Sequence, residues 1–356
     1  MIPVGILDQT PTYEQEGAEI SFQRTVELAQ LAERLGYRRF WVSEHHDSSN
    51  VSGSSPEVLI SYLLAHTQKI KLGSGGVMLQ HYSPYKVAEN FNVLAALAPG
   101  RVELGIGRAP GGLPRSTRAL QGEAAALQPP LDVKLQELRQ YLYHRVPVDH
   151  PLAGIQASPR PQQPADLFAL GASPDSAQLA ARLGLPYVFS LFINSDEQVA
   201  LQALHSYREN FIPSEELREP HAILALSVIT AETEQEADQL AGENLSVKIH
   251  LESGRVLTVA TIEQAEEFGR QSREKYRIEV KEAKVVKGSP SSVYKQLADI
   301  RLRYGVQEFI VHTVIRDFAK RIRSFELLQE AFVQYEYDSP EAAAVLSGSS
   351  VQQHHL

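Results

Sequence analysis

Ile70-Lys71-Leu72-Gly73-Ser74-Gly75-Gly76-Val77-Met78-Leu79, then a helical stretch over 84–97, then Pro99-Gly100-Arg101-Val102-Glu103-Leu104-Gly105-Ile106, reads as strand, helix, strand. Both flanking runs are short, apolar and sharply bounded, the pattern of strands buried on both faces. Pro84 suits the first turn of the helix between them, and Pro99-Gly100 closes it. A unit of this kind lays two parallel strands side by side, so its recurrence decides the architecture.

It recurs along the chain. Upstream, strands at 4–7 and 39–43 alternate with helices at 21–35, which stops at Gly36, and at 56–66. Downstream, strands at 166–170, 187–192, 223–229 and 309–311 alternate with helical stretches at 175–183, 196–210, 233–241, 291–304 and 318–332. Eight strands with following helices predict a closed (β/α)8 TIM barrel of the α/β class. An open doubly wound sheet is the alternative if a strand is misread. Two segments break the rhythm: 111–164, read as a long loop with a helix near 132–143 and a Pro/Gln-rich connection, and 242–287, a polar and charged excursion. These insertions after strands 4 and 7 are candidate lids. One barrel domain is expected over 1–338, with the small, polar stretch 339–356 as a flexible tail.

Composition narrows the function. With 356 residues and 43% hydrophobic content, the chain can bury a large core without covalent staples. It has no cysteine, which removes disulfides, thiolate metal sites and a thiol nucleophile together. The net charge of −9 argues against nucleic acid. The start, Met1-Ile2-Pro3-Val4-Gly5-Ile6-Leu7-Asp8, lacks a basic region and a long apolar run, so a cytoplasmic protein with no membrane span is expected.

Barrel enzymes carry their chemistry at the C-terminal ends of the strands. Strand two ends in Ser43-Glu44-His45-His46. These residue types suit a metal or acid–base work, but neighbours on a strand face opposite ways, so the two histidines do not both face the mouth unless the strand has already ended. No second His/Asp cluster completes a metal shell, and a histidine bonded under the rim is the plain alternative. Gly73, Gly75 and Gly76 fall within strand three, where glycine marks a bulge, a packing contact or a close approach of backbone to a ligand. Gly171-Ala172-Ser173-Pro174-Asp175-Ser176 sits at a strand-to-helix junction. Free N–H groups and hydroxyls there make an anion site, unless Ser173 or Asp175 only caps the helix. Arg108, on the neighbouring strand end, favours a phosphate monoester. His66, His81 and His144 are read as ordinary polar residues.

The runs Trp41-Val42-Ser43-Glu44-His45-His46, Gly73-Ser74-Gly75-Gly76-Val77-Met78-Leu79 and Pro99 through Gly107-Arg108-Ala109-Pro110-Gly111 together resemble the bacterial-luciferase-like flavin-dependent monooxygenases, in their single-subunit branch. The similarity runs over 4–331 and includes Gly184-Leu185-Pro186, Arg218-Glu219-Pro220 and Gly288-Ser289-Pro290. The resemblance implies a (β/α)8 barrel that uses FMN, received as reduced FMN (FMNH2) from a separate flavin reductase, with molecular oxygen and a small organic substrate. It implies acid–base chemistry at His45, titrating near neutral pH, with Glu44 as the neighbouring carboxylate. It further implies a non-proline cis peptide at Gly75-Gly76 under the isoalloxazine ring. Arg108, Gly171, Ala172, Ser173 and Ser176 fall at the phosphate end. Light-emitting members carry a cysteine at the position of Gly107 and a glutamate at that of Ala172, so light emission is not implied and a weaker flavin grip is.

Other readings remain open: a deazaflavin-dependent hydride-transfer oxidoreductase on the same barrel, a non-catalytic flavin-binding barrel, and a phosphate-binding isomerase or aldolase, which the lack of a strand-end lysine opposes. No G-x-G-x-x-G follows the first strand, so no second nucleotide module is expected. A homodimer is expected through the second and third helices, with Leu59, Tyr62, Leu63, Phe91 and Leu94 as exposed apolar positions.

Overall fold

Eight parallel strands hydrogen-bond in a ring, each pair joined through a helical crossover, in a computed structural model that describes residues 2–13, 16–122 and 128–337. Strands β1 (Val4–Asp8), β2 (Arg39–Val42), β3 (Lys71–Met78) and β4 (Val102–Gly107) are separated by helices α1 (Ala18–Leu35), α2 (Pro56–His66) and α3 (Pro84–Leu97). After β4 come α4 (Pro114–Gln121) and α5 (Leu131–Leu142), then β5 (Asp166–Gly171), α6 (Pro174–Leu183), β6 (Tyr187–Ser190), α7 (Glu197–Glu209) and β7 (Ala222–Thr230). The second insertion holds α8 (Glu234–Ala241), β8 (Leu245–Leu251), β9 (Val256–Val259), α9 (Ile262–Ser272), β10 (Tyr276–Glu282) and β11 (Val286–Gly288). Helix α10 (Pro290–Tyr304), β12 (Glu308–His312) and α11 (Phe318–Tyr337) complete the ring. Pairing of β12 with β1 and of β6 with β7 closes it, so the TIM barrel holds and the open sheet does not. The proposed tail, 339–356, lies outside the described residues.

Helix boundaries follow local chemistry. Gly36 ends α1 at φ 81° and donates its N–H to the carbonyls of Ala32 and Glu33, a left-handed cap that suits glycine. Between strands and helices lies the main core, with Phe40, Leu72, Leu104, Phe189 and Phe309 facing outward from the barrel. A smaller inner core holds Leu7, Trp41, Phe168, Val188, Ile223, Ala225 and Ile310. This alternation is the period-two face switching of buried strands.

Three expectations change. The 242–287 excursion is not a loop: β10, β8 and β9 form an antiparallel sheet, with α9 packed on Val247, Ile249 and Leu251. The alternation in Leu245-Ser246-Val247-Lys248-Ile249-His250-Leu251 carried that strand, masked by its charged neighbours. Helix α8 is an addition, and the seventh barrel helix is α10. On α2 and α3, Leu59, Leu63, Phe91 and Leu94 point into the core, because they occupy the helix stripe that faces the barrel. Tyr62 is exposed as expected, joined by Val58, Val93 and Leu97.

The floor of the barrel is a buried ion cluster. Arg39, at the start of β2, donates through Nε and Nη2 to Glu308 of β12 at 2.6 and 3.0 Å, and its Nη1 lies 2.8 Å from Glu103 of β4. Glu103 also accepts from the Trp41 indole at 2.7 Å. All three ionic side chains are buried. Arg39→Met should therefore strand two carboxylates without their cation and cost about 3–5 kcal/mol of unfolding free energy. Denaturant titration checks this; a loss below about 1 kcal/mol would mean the cluster contributes no net stability.

Candidate active site

At the upper end of β2 the chain leaves the strand with its side chains still alternating. Ser43 and His45 share the barrel-facing side, with Ser43 Oγ 3.0 Å from His45 Nδ1. Glu44 and His46 turn the other way. Glu44 is fully buried and accepts from the Met78 N–H at 2.9 Å, from the Tyr82 hydroxyl at 2.8 Å and from His46 Nε2 at 2.7 Å. Its oxygens are thus committed to the end of β3 and to His46, not turned towards His45. Glu44 is a positioning residue in this geometry. His81 joins the same rim: it lies edge-on to His46, donates from Nε2 to Pro110 O at 2.8 Å, and accepts at Nδ1 from the Gln121 amide at 3.1 Å. It is more than an ordinary polar residue.

Burial pushes the His45 imidazole down to about 4, with His46 beside it acting in the same direction. His45 is therefore neutral at pH 7, and the expected titration near neutrality does not belong to it in this state.

Gly75-Gly76 is a cis peptide, as the resemblance implied. The glycines of β3 have a nearer reason than a ligand, however. A Cβ on Gly73 would stand 2.8 Å from the Trp41 indole nitrogen, and one on Gly75 would stand 2.7 Å from Leu7 and 3.1 Å from Trp41. A Cβ on Gly76 would strike the backbone of Gly105 and Gly107 at 2.7 and 2.9 Å. The aromatic ring pressed against this strand is the protein's own tryptophan.

The strand-five loop resolves a second ambiguity. Ser173 caps α6, accepting from the Ser176 N–H, and Ser176 Oγ reaches Ser173 O at 2.7 Å and Tyr187 OH at 2.9 Å. Both hydroxyls are engaged in the cap. Gly171 is required because a Cβ there would overlap Ser176. Arg108 differs: it is exposed and has no hydrogen bond or ion pair among the described residues. The pairing of Ile106 with Ala169 brings Arg108 level with Gly171 at the mouth. A free guanidinium beside a helix start suits a phosphate monoester, so the residues fit the terminal group of FMN.

Sequence reasoning missed the opposite wall. His312 ends β12, faces Ser227 of β7 at 2.8 Å, and carries Phe192 against its ring at a centroid distance of 4.5 Å. Burial drives its imidazole down to about 4, helped by Arg321. Its position at a strand end was the only available signal. The antiparallel sheet was missed as well. Its polar face lies on the loop after β6, through Thr258 Oγ1 to Ile193 O at 2.9 Å. Its other side reaches the loop after β4, where Leu113 packs with Phe268 and Arg115 N–H donates to Gln271. The sheet and α9 therefore span the loops after β4 and β6 like a roof.

Known proteins align with most of this chain. The family described as luciferase-like monooxygenase matches residues 2–308. An N-acetyl-S-alkylcysteine monooxygenase of Bacillus subtilis is 42% identical over 93% of this chain and 98% of its own length. A luciferase-like monooxygenase of Escherichia coli K12 is 34% identical over 92% of this chain and 96% of its own. Among solved structures, apo-MsnO8 superposes with a TM-score of 0.76 at 35% identity, covering 93% of this chain and 98% of that one. The FMN complex of the oxygenating constituent of 3,6-diketocamphane monooxygenase from Pseudomonas putida shares the fold, with TM-score 0.68 at 18% identity over 93% and 97% of the two chains.

A depressed histidine makes stability depend on acid. The unfolded chain takes up a proton near pH 6.5 that the folded His312 refuses until about 4, so stability is full above 6.5 and falls as pH drops towards 4. His312→Gln should make that fall shallower by about 1–3 kcal/mol between pH 7 and 4.5. Urea titrations across that range read it, and parallel curves for the two proteins would exclude His312 as a source.

Proposed function

This chain belongs to the luciferase-like monooxygenase family, and we propose that it works on a small organic substrate with molecular oxygen and FMN, delivered reduced by a separate flavin reductase. The observation that carries this reading is the unpartnered Arg108 guanidinium level with the Gly171–Ser176 loop. A phosphate-sized anion site at a barrel mouth, with no adenine-binding module in the chain, favours FMN over FAD or a nicotinamide. Reduced FMN supplies two electrons and two protons, so one oxygen atom can enter the substrate while the other leaves as water. The chain's own residues bind, orient and exclude water. Gly75 and Gly76 are proposed to lie under the ring, with Arg108, Gly171, Ala172, Ser173 and Ser176 at the phosphate. Neutral His45 is proposed to hold or move a proton through Nε2, since Ser43 engages Nδ1. The name of the 42% identical relative makes a thioether the first substrate class to try.

The decisive measurement is oxygen uptake with enzymatically reduced FMN and N-acetyl-S-ethylcysteine as probe thioether. Substrate-dependent uptake with sulfoxide formation is expected; reduction of substrate by a reduced deazaflavin, with no oxygen consumed, would replace this reading. His45→Ala should bind FMN as wild type does while turnover falls by roughly two to four orders of magnitude. Normal turnover in that variant would make His45 a rim residue.

The oligomer is proposed to be a homodimer joined through the exposed apolar side chains Val58 and Tyr62 of α2 and Val93 and Leu97 of α3. Light scattering should find a dimer, and Tyr62→Glu with Leu97→Glu should give a folded monomer. A monomeric wild type at micromolar concentration would remove the proposal.

A further inference from the structure

The roof sheet presents two unlike faces. Val247, Ile249 and Leu251 pack on α9 with Ala265 and Phe268, so Ser246, Lys248 and His250 must point the other way. Register adds Thr258 from β9 and Arg277, Glu279 and Lys281 from β10 to that second face. This is the face that lies on the loop after β6. It carries four basic side chains and one acidic one.

Within it, Lys248 is the cation left over. Glu279 stands directly opposite it across the strands, but the Glu279 carboxylate is taken by His250 at 2.9 Å, Lys281 at 2.5 Å and Arg277 at 3.5 Å. Lys248 has no carboxylate partner among the described residues. Its ammonium instead meets Asn194 Oδ1 at 3.5 Å, and the same side chain's Nδ2 donates to Ala172 O at 3.0 Å. One carboxamide thus separates a half-buried, uncompensated cation from the loop that begins α6.

We propose that Lys248 is a second cation of the anion site at the Gly171–Ser176 loop, contributed by the antiparallel sheet and set in place by Asn194. The inference rests on the FMN reading and adds a ligand to it. Charge supports the assignment. A phosphate monoester carries about −1.5 to −2 at neutral pH, whereas Arg108 alone supplies one positive charge. The Ser173 and Ser176 hydroxyls are engaged in the helix cap, and Ala172 is uncharged. Arg108 from below and Lys248 from the roof would balance the anion. The sheet would then report occupancy of the phosphate end, because one of its own charges is neutralised there.

The experiment compares FMN with riboflavin, which lacks only the phosphate, by flavin fluorescence titration of the full chain. Wild type should bind FMN more tightly than riboflavin. Lys248→Met should raise the FMN dissociation constant about three- to tenfold, a partly screened charge-assisted contact, and leave riboflavin within about twofold. Lys248→Arg should retain the preference, and raising salt should erode the wild-type preference more than that of Lys248→Met. Circular dichroism confirms folding of each variant. If Arg108→Ala abolishes the preference for FMN and Lys248→Met does not, the phosphate site stands and the role of Lys248 is overturned. Equal weakening of both flavins by Lys248→Met would overturn it too, assigning the lysine to docking the sheet. A wild type indifferent to the phosphate would remove the FMN reading and this inference together.

Discussion

Arg39 enters the barrel from the start of β2 and cannot be solvated there, so the strands around it must supply its counter-charges. Glu308 and Glu103 do so from β12 and β4, and Gly5 of β1 makes way: a Cβ there would overlap the Arg39 stem. Burial opposes the arginine's charge, but the two carboxylates outweigh it and hold the guanidinium charged. The carboxylates themselves fare differently. Burial pushes Glu103 up, whereas His221, Arg39 and Arg38 hold Glu308 down against burial. A pair of buried ions is expensive to assemble, and once assembled it tolerates little change in the spacing or register of its strands. Three strands of the ring are thereby fixed relative to one another at the floor.

From that floor the order passes upward through Trp41. Its indole N–H is held by Glu103, and Phe168 meets its ring edge-on at 5.2 Å. The ring fills the barrel axis, and Gly73 and Gly75 leave the room it occupies. The glycine run of β3 thus answers first to the tryptophan below the mouth. Glu44 then takes over where β3 ends, accepting the Met78 N–H while it anchors His46 and Tyr82. Ion cluster, tryptophan, glycine strand and Glu44 form one continuous support, and His45 stands at its top.

Much of this was legible in the chain. The barrel strands announced themselves as short apolar runs closed by Gly and Pro, and each appears within a few residues of its expected place. Strand alternation set His45 and His46 facing apart on the condition that it continued to them, and it does although β2 itself ends at Val42. What was illegible has a common physical cause, since it depends on partners distant in sequence. Nothing near Gly75 reveals that Trp41, some thirty positions earlier, needs its space. Likewise His312 becomes a mouth residue only because β7 brings Ser227 to it. The roof sheet was hidden differently. Its inner alternation was strand-like, but the charged outer face of Arg277, Glu279 and Lys281 made the segment read as solvated loop. Of that face, Lys248 and Thr258 are the residues that meet the loop after β6.

Around the mouth, unpaired cations and buried neutral groups occupy different places. On the barrel-facing side of β2, β7 and β12, His45 and His312 are held uncharged by burial, Ser43 and Ser227 bond to them, Phe192 covers His312, and the Asp8–Arg321 ion pair is buried close by. Arg108 stands at the end of β4 and Lys248 beside the loop after β6, both without carboxylate partners among the described residues. An amphiphilic ligand with one anionic end and one flat, weakly polar end has a single favourable orientation in such a field, its anion under the roof and its ring towards the neutral wall. By bridging the loops after β4 and β6, the roof sheet brings Lys248 to Asn194 and so to the loop that begins α6.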